Sequence, residues 1–93
     1  MRLDLAELLE SQHAFPGSYC IKAIGSAADD FVERVLEAAR TELAVPSDLD
    51  YSERWTNDRR HVSVTLDLAV QSSDQVLRIY ARLREVAGIK LVM

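Results

Sequence analysis

Seven residues near the middle of the chain constrain its architecture more than any others. From Val62 to Leu68, Val62, Val64, Leu66 and Leu68 alternate with Ser63, Thr65 and Asp67. A period of two places the aliphatic side chains on one face of a strand and the hydroxyls and carboxylate on the other. Such a strand needs cover on one side only. The surrounding segment, Arg60 to Val70, reads as one strand of a sheet whose second face stays open.

Two stretches supply the cover. In the first, Ala28, Phe31, Val32, Val35, Leu36, Ala39 and Leu43 recur at three and four residues, with Asp29, Asp30, Glu33, Arg34, Glu37 and Arg40 between them. That spacing predicts an amphipathic helix of roughly four to five turns. Ser26-Ala27-Ala28-Asp29 resembles its capping box, and Pro46 its stop signal. In the second, Ser72 with Gln75 forms another capping-box pattern, followed by Val76, Ile79, Tyr80, Leu83 and Val86, with Gly88 placed to end the helix.

Three further strands complete the set. Ser18 to Ile24 follows the Pro16-Gly17 break, Asp48 to Trp55 precedes turn residues Asn57-Asp58, and Ile89 to Met93 closes the sequence. Asp4 to Glu10, with Asp4 as N-cap, predicts a short helical turn within an N-terminal extension over 1–15. The order strand, helix, strand, strand, helix, strand with right-handed crossovers gives an α+β, ferredoxin-like βαββαβ sandwich. Its four-stranded antiparallel sheet carries two helices on one face. At 93 residues the chain makes one domain, 1–93, and folding buries about 64% of its surface.

Composition narrows the function. The net charge of −4 argues against broad attraction to nucleic acid or anionic membrane. One cysteine allows neither an intrachain disulfide nor a Cys-x-x-Cys site. The two histidines, His13 and His61, have no ligand partner at metal spacing, so neither metal nor cofactor is expected. No apolar run approaches the roughly 20 residues of a membrane helix, and Met1 to Asp4 lacks a signal-peptide pattern. The expectation is a cytoplasmic protein.

Three motifs carry a resemblance. His13 to Gly25 (HAFPGSYCIKAIG), His61-Val62-Ser63-Val64-Thr65 and Ser72 to Leu83 (SSDQVLRIYARL) resemble, in order and spacing, the YbeD-like family of small bacterial proteins of unknown function. One departure stands out. Where that family carries a Ser-x-x-Gly-x-Tyr turn, this chain has Arg59 in place of the glycine and His61 in place of the tyrosine. The resemblance implies a fold similar to ACT regulatory domains, which bind amino acids or other small effectors, and it implies no reaction.

The candidate site follows from alternation. Lys22, Arg54, His61, Ser63 and Thr65, joined by Lys90, are expected on the open face as a cationic patch for an anionic ligand or an acidic protein segment. Gly25 and Ser26, ahead of a helix N-terminus, form a second candidate anion site. Acylphosphatases share this element order but need an arginine in that loop, and Gly25-Ser26-Ala27-Ala28 has none. RNA-recognition motifs share it too, yet Ser63 and Thr65 stand where stacking aromatics belong. The main expectation is a non-enzymatic ACT-like regulatory module binding a small effector or a protein partner. The alternative is a small enzyme using Cys20 and His61 as nucleophile and base. Ile89 to Met93, short and apolar at an edge, adds the expectation of a homodimer, which a monomer in light scattering would exclude.

Overall fold

The computed structural model of the chain describes residues 4–93, so the reading of Met1 to Leu3 lies outside the described residues. The elements are α1 (Leu5–Gln12), β1 (Gly17–Ser26), α2 (Phe31–Arg40), β2 (Leu49–Trp55), β3 (His61–Val70), α3 (Ser73–Arg84) and β4 (Ile89–Val92), with a 3-10 turn at Pro46–Asp48. The sheet order is β2-β3-β1-β4, antiparallel throughout. This is the ferredoxin-like arrangement that the element order requires.

The alternation in β3 does what its period dictates. Val62, Val64, Leu66, Leu68 and Val70 are buried, and they form one core with Ile21 and Ala23 of β1. Phe31, Val35, Leu36 and Ala39 of α2 and Val76, Ile79 and Leu83 of α3 complete that core, so both helices cover the same face. Tyr19, in phase with Ile21, also turns towards the helices, and its hydroxyl lies 3.4 Å from that of Tyr80. Partial burial and this hydrogen bond push the Tyr80 phenol above its usual range.

Glu42 fastens the two helices together. Its carboxylate meets Arg78 at 3.3 Å and Arg82 at 3.2 Å, and its carbonyl accepts from the Gln75 amide at 2.8 Å. α1, capped by Asp4 through the Glu7 N–H, docks beside α3 where the Ser73 hydroxyl donates to Glu10.

The start of α2 corrects the sequence reading. Ser26 is still in β1 and caps nothing. The N-cap is Asp30, with a φ of 58° and no side-chain cap bond, preceded by Asp29 at a φ of 57°. Two consecutive left-handed residues cannot belong to a right-handed helix. α2 therefore has ten residues rather than four to five turns, and Ala28 lies ahead of it. Leu43 lies beyond it, in a tighter turn whose N–H bonds to Arg40.

At α3 the cap holds in part. The Ser72 hydroxyl accepts from the Gln75 N–H, but the Gln75 side chain reaches Gln71 instead of Ser72. Gly88 takes its left-handed φ of 92° in the α3–β4 loop, beyond a helix that ends at Arg84.

Candidate functional site

The register fixes what shares the open face. Arg54, Ser63, Ile24 and Leu91 form one row across β2, β3, β1 and β4. The neighbouring row runs Ser52, Thr65, Lys22, and Met93 extends it by exchanging backbone hydrogen bonds with Lys22 at 2.9 and 2.8 Å. A third row, Asp50, Asp67 and Cys20, lies on one side of these, and His61 opposite Ser26 lies on the other. The face is therefore polarised. Two carboxylates stand at one end, and Arg54, Lys22 and His61 stand towards the other. At the β4 edge of the Arg54 and Lys22 rows, Leu91 and Met93 remain 50% and 52% exposed.

Lys22, Arg54, His61, Ser63 and Thr65 thus occupy one face, as alternation requires. Ser63 and Thr65 are half-buried between their neighbours, while Lys22, Arg54 and His61 are exposed. Lys90 joins at a bulge, where the β1–β4 register shifts between Ile24 and Gly25.

The Gly25-Ser26 loop needs correction. Gly25 is a buried strand residue: a Cβ there would lie 2.5 Å from the Gly88 carbonyl oxygen and 2.5 Å from the Phe31 ring. Its absence of a side chain lets that ring and loop close over the sheet. The Ser26 N–H donates to Gly88 at 2.9 Å and the Ala27 N–H to Arg60 at 2.9 Å. Those donors are spent inside the fold, so of the polar groups expected to hold an anion there only the Ser26 hydroxyl is left.

The register also separates Cys20 from His61. Cys20 stands opposite Asp67, six positions along β3 from His61, which at strand rise is about 20 Å. A nucleophile and its base must approach within hydrogen-bond reach, so these two do not form a catalytic pair.

Two shallow clefts meet at His61. One, of about 410 Å³, is lined by Ser26, Ala27, Ala28, Arg59, Arg60, His61 and Lys90. The other, of about 490 Å³, is bordered by Ile24, Arg54, Trp55, His61 and Ser63.

The hairpin between β2 and β3 shapes both. Asp58 accepts from the Thr56 hydroxyl at 2.6 Å and from the Arg60 N–H at 3.0 Å. These bonds, the Thr56 one foremost, hold its carboxyl below the usual carboxylate range. Arg59 has a φ of 62° and its guanidinium lies 5.3 Å from the Trp55 ring centre. Trp55, half-buried against the core, donates its indole N–H to Glu53.

On the other side of the first cleft, Arg34 donates to the carbonyls of Ala28, Asp29 and Ala87, tying the β1–α2 loop to the α3–β4 loop. Arg59 and Arg60 belong to the turn between β2 and β3 and were not among the expected site residues. Antiparallel pairing of β1 and β3 brings that turn beside the end of β1, and this topological consequence was the available signal.

Comparison with known proteins agrees with this architecture. A family model described as a protein of unknown function, DUF493, matches residues 10–93. A UPF0250 protein of Shewanella piezotolerans is 32% identical over 87 residues, covering 94% of this chain and 92% of that protein. A UPF0250 protein of Haemophilus ducreyi is 27% identical over 89 residues, covering 96% and 86%. Among solved structures, the ACT domain from the GTP pyrophosphokinase of Chlorobium tepidum superposes with a TM-score of 0.61 at 14% identity, over 82% of this chain and 94% of that domain. That likeness is one of fold.

Proposed function

The chain belongs to the DUF493 family, the YbeD-like proteins its motifs resemble, and since that membership brings no activity we propose that it is a non-enzymatic, ACT-like regulatory module for an anionic effector. One observation carries this reading. At one end of a face left open by the fold, Lys22, Arg54, Arg59 and Lys90 have no ion-pair partner among the described residues, in a chain of net charge −4. Unpaired cations that share one end of the face with hydroxyls suit charge-assisted hydrogen bonds to an anion.

Binding would act by population shift, favouring whichever state of a partner protein accommodates the occupied face. The distance between Cys20 and His61 supports a non-enzymatic role. At the centre of the face Ser63 and Thr65 stand where an RNA-binding sheet carries stacking aromatics, which supports a small ligand over nucleic acid. No helix among the described residues is long and apolar enough to cross a membrane, and a cytoplasmic site of action is part of this proposal.

Thermal-shift measurements against amino acids, nucleotides and short carboxylates test it, because a ligand specific for the folded state raises Tm with occupancy. One anionic class is expected to raise Tm in the wild type and to lose that effect in Lys22→Glu and Arg54→Glu. A flat response across the panel contradicts a small effector and leaves an acidic protein segment as the occupant.

A further inference from the structure

We propose that the cleft formed by Ser26, Arg59, Arg60, His61 and Lys90 is a phosphate site, so that the effector is a phosphorylated small molecule. This rests on the regulatory reading above and names the ligand class. Three cationic side chains, an imidazole and a hydroxyl border the cleft, and no carboxylate lines it. The acid nearest in sequence, Asp58, is already bonded to Thr56 and to the Arg60 N–H. Its contact with the Arg60 guanidinium is a loose 4.0 Å, with both side chains mostly exposed. Guanidinium groups offer planar paired donors that match phosphate oxygens. A dianion also suits a three-cation site better than a single carboxylate does. The side chains of Ala27 and Ala28, which also line the cleft, are single methyl groups and keep the space open. A volume of about 410 Å³ falls within the roughly 300–1,000 Å³ of small-molecule sites, leaving room for more than the phosphate itself.

Arg59 adds an independent argument. At a φ of 62° it occupies backbone territory where glycine sits without strain and a long side chain does not. The hairpin would turn more easily with glycine there. The structure instead keeps a guanidinium at the mouth of the cleft, braced on Trp55. Strained positions of this kind concentrate at ligand sites.

NMR titration of the full chain with inorganic phosphate at constant ionic strength, with acetate as control, tests the assignment. Phosphate is expected to give saturable shifts centred on the amides of Ser26 to Ala28, Arg59 to His61 and Lys90, with acetate giving none of comparable size. In Arg59→Gly, relief of backbone strain offsets the lost contact with Trp55, so Tm should stay within about 3 °C of wild type. Its phosphate affinity should fall about tenfold. Arg59→Asn, which also tolerates the left-handed region, should behave alike. Equal shifts with acetate, or an Arg59→Gly affinity within about twofold of wild type, would overturn the phosphate site. If amino acids or carboxylates bind while phosphate does not, the phosphate assignment falls and the regulatory module stands. If no small anion of any class binds, the phosphate site and the small-effector reading both fall.

Discussion

Gly25 and Arg59 are the two residues whose backbones say most, and for opposite reasons. Gly25 is glycine because the Phe31 ring and the Gly88 carbonyl occupy the space a Cβ would need. Gly25→Ala therefore forces a shift in a close-packed contact and should cost about 1–3 kcal/mol. Chemical denaturation would read this as a lower midpoint with an unchanged slope. Arg59 is not glycine although its φ of 62° favours one, and such a conformation costs an ordinary residue roughly 1–2 kcal/mol. Sequence marked both positions as special. It took Gly25 for a ligand loop and marked Arg59 only as a departure from the family's glycine. A glycine that serves a turn and one that admits a neighbouring ring look alike in one dimension, and only the position of Phe31 separates them.

At the scale of elements, β3 was legible almost to the residue because alternation over a buried face admits one register. The helices were legible as stripes but not at their ends. Ala28 falls in phase with Phe31, so periodicity extended α2 backwards through Asp29 and Asp30. Those two aspartates instead adopt left-handed backbone, which short polar side chains tolerate. The real cap signal lay at Ser72, whose hydroxyl accepts from the Gln75 N–H at 3.2 Å. Ser72→Ala should lose about 1 kcal/mol of stability, whereas Ser26→Ala, removing a hydroxyl that caps nothing, should stay within about 0.5 kcal/mol. Parallel urea titrations of the two variants distinguish a cap at α3 from one at α2. Equal losses would restore the Ser26 cap that the structure removes.

Across the whole molecule, the open face is divided by charge. Asp50 faces Asp67 across β2 and β3, while Arg54, Lys22, Lys90 and the hairpin arginines gather at the other end. Strand pairing generates this division, because antiparallel β1 and β3 bring the β2–β3 turn against the start of the crossover to α2. The sheet, its order and the open-face residues of β1, β2 and β3 followed from sequence. The cleft did not, because it joins three loops distant along the chain and depends on a bulge beside Lys90. Equilibrium dialysis of the folded protein against a bacterial metabolite extract, with mass spectrometry of what is retained, tests the central claim most directly. An anionic metabolite should be enriched by the wild type and lost from a Lys22→Glu/Arg54→Glu variant of unchanged Tm. Identical retention by the two proteins would contradict it.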